Sequence, residues 1–150
     1  MANTEEKLRL QLDSSDHLVV CSALKALRQA GPLSAGTIQR VVSLAAPGIQ
    51  AVELNALDTL AQIGPSAATY APQLLKTLAS QIDQGGCTFD CCGYGAFYAP
   101  VWSYIRAILA LEKIETREDL EARIFPQLEG QPNAELLKEV FDIRDFEAFR

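Results

Sequence analysis

Two stretches of this chain match without a gap at an offset of 33 residues, and that repeat limits the possible folds more than any other feature. Val19-Val20-Cys21-Ser22-Ala23-Leu24-Lys25-Ala26-Leu27-Arg28-Gln29-Ala30-Gly31 aligns with Val52-Glu53-Leu54-Asn55-Ala56-Leu57-Asp58-Thr59-Leu60-Ala61-Gln62-Ile63-Gly64, and a proline follows each, Pro32 and Pro65. A period of this size marks a small supersecondary unit that cannot bury its own apolar face and has to stack on copies of itself. Residues 107–114 match residues 56–63 as a third copy, 51 residues further on, which implies an insertion at about residues 83–99.

Within the copies, apolar residues recur at steps of three and four: Val20, Ala23, Leu24 and Leu27, then Val52, Ala56, Leu57, Leu60 and Ile63. That spacing makes one stripe on a helix and rules out the alternating face of a strand. Ala23, Ala56 and Ala107 share one register, where a neighbouring helix can approach closely. Gly31 and Gly64 suit the positive φ of a helix end, and the prolines behind them cannot continue a helix. A second amphipathic helix is expected after each stop, over 35–45 with Ile38, Val41, Val42 and Leu44, and over 71–82 with Leu74, Leu75, Leu78 and Ile82. Further helices are expected over 4–12, 100–114, 117–128 and 134–143. Thr116 with Asp119 has capping-box spacing, and Asn133 opens the last helix.

The pattern V-x-x-x-A-x-x-A-L-x-x-x-G, with Thr59 in place of the second alanine in the second copy, resembles the first helix of a HEAT or HEAT-like repeat. Ala71-Pro72-Gln73-Leu74-Leu75-Lys76-Thr77-Leu78 resembles the start of that family's second helix. The arginine that often follows the family's valine is absent, its place taken by Val20 and Glu53. The resemblance implies an all-α fold for residues 1–150 as one domain: a short right-handed α-solenoid of about three to four helical hairpins, interrupted by an irregular Cys/Gly/aromatic insertion. It also implies a scaffold that binds other macromolecules. A stack this short has little curvature, so a shallow groove formed mostly by second helices is expected, with Gln39, Arg40, Ser43, Gln73, Lys76, Thr77 and Ser80 as its candidate contacts.

The insertion breaks the repeat rhythm. It gathers Cys87, Cys91 and Cys92 within six residues, and Phe89, Tyr94, Phe97, Tyr98, Trp102 and Tyr104 follow within 16. Tyr94, Tyr98 and Trp102 are spaced by four and share a face on any helix that includes them; with Phe89 they are candidate partner anchors, because Tyr and Trp are enriched in binding hot spots. The cysteine spacing C-x3-C-C is not the C-x2-C arm that zinc prefers, so Cys87, Cys91 and Cys92 are only weak metal candidates. No cofactor is expected. His17, the sole histidine, stands one helical turn from Cys21, and Asp16-His17 reads as a capped helix start.

Thirteen Lys+Arg against 19 Asp+Glu give a formal charge of −6 and a pI near 4.8, the wrong sign for a protein that neutralises phosphates. Nucleic acid is therefore not expected as a partner, and acidity favours a basic protein partner. With 49% hydrophobic and 21% charged residues the composition is that of a globular chain. No signal-peptide core or membrane-length apolar run is present, so a cytoplasmic location with reduced thiols is expected. Phosphate-loop and nucleophile motifs are absent. A non-enzymatic adaptor or inhibitor of the immunity type is the expected function. The alternative is a small-molecule, chromophore or metal-handling protein, lyase-like in chemistry, that uses the cysteine loop; some HEAT-like chains attach bilin chromophores.

Overall fold

The computed structural model describes residues 4–84, 99–131 and 133–142, and these are mostly helical, with no strand among them. The helices are α1 (Thr4–Gln11), α2 (His17–Leu27), α3 (Ala35–Leu44), α4 (Gln50–Ile63), α5 (Ala71–Gln84), α6 (Ala99–Leu111), α7 (117–128) and α8 (Ala134–Asp142), with a 3₁₀ turn, Gly64–Tyr70, between α4 and α5. Each lies within three residues of its sequence expectation except the end of α2, which falls at Leu27, four residues before the expected stop at Gly31. The all-α class holds throughout the described chain.

Short side chains start several of these helices by occupying backbone donors that have no intrahelical partner. Asp16 accepts a hydrogen bond from the Leu18 amide at 2.9 Å to open α2, and Thr116 accepts one from the Asp119 amide at 3.1 Å to open α7. The reciprocal half of the capping box is displaced by one residue, since Asp119 Oδ2 accepts from the Glu115 amide and not from Thr116. At the start of α3, Ser34 is the cap, and Glu5 of α1 reinforces it. Its Oε1 accepts from the Ser34 amide and from the Thr37 hydroxyl, each at 2.7 Å. Those two bonds hold the Glu5 carboxyl below its ordinary pKa, so the contribution is present above that value and is lost as pH falls through the lowered folded one. Glu5→Gln is expected to cost less than about 1 kcal/mol at neutral pH, this being a half-exposed group. The deficit should shrink toward pH 3 in urea melts; a deficit independent of pH would contradict the cap.

The helix ends differ. Gly64, with φ 71° and ψ −141°, stops α4 in a conformation that only glycine adopts comfortably, while α2 stops at Leu27, four residues before Gly31 at φ 81°. Inside α7 the chain widens to a π turn over Leu120–Ile124, with the Phe125 amide bonded to the Leu120 carbonyl. Pro126 follows directly. Its ring cannot sit against the carbonyl four residues back and it has no N–H to donate, and the wider turn accommodates both.

Apolar residues from Leu12 to Phe141 form one buried cluster. Here α2 packs on α4, α4 packs on α6, α1 covers α2 and α3, α3 packs on α4, and α5 packs on α6 and the 3₁₀ turn. The helices that carry the three sequence copies are thus neighbours in the order α2, α4, α6. Ala23, Ala56 and Ala107 are almost fully buried in them, as close approach at that register requires.

Two buried polar clusters tie the copies together. Thr59 of α4 is fully buried, and its hydroxyl lies 3.0 Å from the Leu24 carbonyl of α2 and 2.8 Å from the Asn55 carbonyl. Glu53 of α4 and Tyr104 of α6 occupy equivalent repeat positions and meet: the Tyr104 hydroxyl donates to Glu53 Oε2 at 2.7 Å and lies 2.9 Å from the Ala45 carbonyl. Gln81 Nε2 donates to the same carboxylate oxygen at 2.8 Å. Burial, and after it the neighbouring carboxylate, push the Tyr104 phenol well above its ordinary pKa.

Candidate functional site

A cleft of about 740 Å³ opens where the C-terminal end of α2 meets α4 and α6, within the size range of ligand and peptide pockets. Ala61, Leu109, Ala110 and Ile114 give it apolar lining, and Arg28, Arg106, Lys113, Asp58 and Glu115 supply its charge. Three cations face two carboxylates in a chain whose net charge is −6. The local sign is therefore opposite to the global one.

Each cation is held differently. Arg28 caps α2, and its guanidinium is fixed by α4: Nε donates to Thr59 Oγ1 at 3.1 Å, and Nη2 donates to both the Asn55 carbonyl and Asn55 Oδ1 at 3.0 Å. The threonine that replaces alanine in the second sequence copy thus orients this arginine. Arg106 is more than half exposed and approaches Asp58 only to 3.7 Å, a loose pair worth little in water. Lys113 adopts φ 53°, one of two non-glycine residues at positive φ among those described. The Ile114 amide bonds to the Leu109 carbonyl at 2.8 Å and the Lys113 amide to the Ala110 carbonyl at 3.2 Å. This is a Schellman end to α6, with lysine where glycine is the usual residue, and Ile114 and Leu109 provide its apolar contact. Substituting Lys113→Gly relieves the left-handed backbone and is expected to stabilise the fold by about 0.5–1 kcal/mol, net of the larger unfolded-state entropy of glycine. Thermal melts of the two proteins measure this directly, and a lower melting temperature would refute it.

The sequence-derived groove residues fall elsewhere. Gln39, Arg40 and Ser43 lie on α3, and Gln73, Lys76, Thr77 and Ser80 lie on α5. Arg40 Nη1 donates to Ser43 Oγ at 3.1 Å, its Nη2 reaches the Leu12 carbonyl, and its Nε rests 2.9 Å from Asp13 Oδ1. Arg40 and Ser43 line a smaller depression of about 300 Å³ with His17 and Ile49, and no α5 residue contributes to it. Thr77 turns its hydroxyl back to the Gln73 carbonyl of its own helix. Trp102 is half-buried against the core. Phe89, Tyr94 and Tyr98, and the weak metal candidates Cys87, Cys91 and Cys92, lie outside the described residues. Cys21 is a free thiol, half-buried, and among the described residues no three His, Cys, Asp or Glu side chains are placed to share a metal ion.

Arg28, Arg106 and Lys113 escaped the sequence reading because Arg28 lies far along the chain from the other two and joins them only when the copies pack together. One signal was available: the third copy carries Glu115 where the others carry Gly31 and Gly64, so its helix had to end by another device. No described helix is long and apolar enough to cross a membrane. No protein-family model, curated protein or solved structure matches the chain.

Proposed function

We propose that this chain is a non-enzymatic protein-binding module of the cytoplasm, a short α-solenoid of HEAT-like hairpins acting as an adaptor or inhibitor, and that its partner seats on the face carrying the α2–α4–α6 cleft. The observation that carries this reading is the neighbour order of the three repeat-bearing helices, which turns a sequence period into one continuous surface. The cleft on that surface combines an apolar floor with charged side chains at its edge, the composition of a recognition site. The α5 row of Gln73, Lys76 and Ser80 is exposed and serves as a secondary contact surface.

The test is affinity capture from the native cell with the wild-type chain and with an Ala61→Arg/Arg106→Glu double variant, checked for unchanged helicity. A protein recovered in near-stoichiometric amount by the wild type and lost by the variant supports the reading. Recovery of nothing, or of the same proteins by both, overturns it.

A further inference from the structure

We infer that the α2–α4–α6 cleft recognises an acidic peptide segment, carboxylate side chains pairing with Arg28, Arg106 and Lys113 while interleaved apolar residues rest on Ala61, Leu109 and Ala110. This rests on the protein-binding reading and names the chemistry of the partner segment. Whole-chain charge points to a basic partner, but at physiological ionic strength charges are screened over about 8 Å, so the residues that line a cleft decide what fits there.

Three independent features mark these cations as built for a ligand. Arg28 is oriented by a buried threonine, and its Nη1 makes no hydrogen bond among the described residues. With Nε and Nη2 held by Thr59 and Asn55, this pre-oriented guanidinium keeps Nη1 to donate a charge-assisted hydrogen bond to one carboxylate. Among the described residues, Arg106 pairs only loosely, at 3.7 Å, with Asp58, so an incoming carboxylate displaces little. Lys113 lines the cleft from a left-handed backbone in a place where glycine is the unstrained choice. Backbone strain retained at a cleft is a pointer to function.

A peptide suits the site better than a compact anion. Arg28 and Lys113 both stand at helix C-terminal ends, whose partial negative charge subtracts from theirs. A small dianion concentrated at one point therefore gains little, whereas an extended segment distributes single charges along the cleft and gains apolar contact as well.

The proposal is tested by fluorescence anisotropy with a labelled dodecapeptide of alternating Glu and Leu, against the matching Lys-Leu peptide. The acidic peptide is expected to bind at least tenfold more tightly. Arg106→Glu should weaken it tenfold or more, and Arg106→Lys only a few-fold. Lys113→Gly should raise the melting temperature yet weaken binding threefold or more, an opposition that a purely structural lysine does not produce. Equal or tighter binding of the basic peptide overturns the inference, as does an unchanged affinity in Arg106→Glu. Complete displacement of the acidic peptide by millimolar inorganic phosphate overturns it in favour of a small-anion site. If the acidic peptide fails while a captured partner is still lost by the Ala61→Arg/Arg106→Glu variant, the protein-binding reading stands and only the acidic specificity falls.

Discussion

Ala56→Leu is expected to destabilise the fold by about 2–3 kcal/mol, toward the upper end of what overpacking usually costs, and to lower the melting temperature by roughly 5–12 °C. Ala56 is fully buried in α4, the helix that packs on both α2 and α6. Its counterparts Ala23 and Ala107 are equally enclosed. A leucine at this register has no free volume to enter, because protein interiors are packed as densely as organic crystals. One neighbouring helix must move or a side chain must leave its rotamer well. Ala51→Leu provides the control: it adds the same atoms to the same helix at an exposed position and should change stability by no more than about 0.5 kcal/mol. Were Ala56→Leu to melt like the wild type, the repeat-bearing helices would not be close-packed at their shared register, and the stack would lose its physical basis.

The same residues show why much of this fold was legible before any coordinates. Val20, Ala23, Leu24 and Leu27 repeat at helical steps, and all four are buried; periodicity reports burial because a helix has only one face to turn inward. Gly64 was readable as a stop because few residues other than glycine reach its φ. The stop at Gly31 was read four residues late, since turns after Leu27 carry the chain to the glycine without helix. Glu53 stood out in the sequence only as the residue in the place where the repeat family often carries arginine. Its partners Tyr104, Gln81 and the Ala45 carbonyl come from three other segments, and no local rule links them. The cleft is hidden for the same reason. Arg28 comes from the end of α2, Asp58 from α4, and Arg106 and Lys113 from α6 and its end, and they become one surface only through tertiary packing. Reasoning from helix faces placed the groove on α3 and α5, whereas the cleft described above lies where α2, α4 and α6 meet.

Tyr104→Phe tests whether the polar cluster between α4 and α6 holds the stack together. The variant keeps the ring, which is fully buried, and removes only the hydroxyl. Glu53, itself only 5% exposed, then retains the Gln81 Nε2 donor at 2.8 Å. The Ala45 carbonyl also loses a hydroxyl that stood 2.9 Å away. Removing one partner from a buried charged acceptor costs about 1–3 kcal/mol, and the variant is expected to be less stable by that amount at pH 8. The pH dependence is the sharper signature. Burial and the Glu53 carboxylate keep the Tyr104 phenol protonated in the folded protein well past the pH at which an unfolded tyrosine ionises, near 10. Above that pH the unfolded chain has lost a proton that the folded chain retains, so this group's contribution to stability falls by about 1.4 kcal/mol per pH unit. Phenylalanine has no such proton. The advantage of the wild type over Tyr104→Phe should therefore be constant up to about pH 9.5 and then narrow steadily through pH 11, as followed by guanidinium unfolding of both proteins. A gap that stays constant across that range would mean the hydroxyl ionises as freely in the fold as outside it, and the Glu53–Tyr104 bond would no longer account for how α4 and α6 are joined.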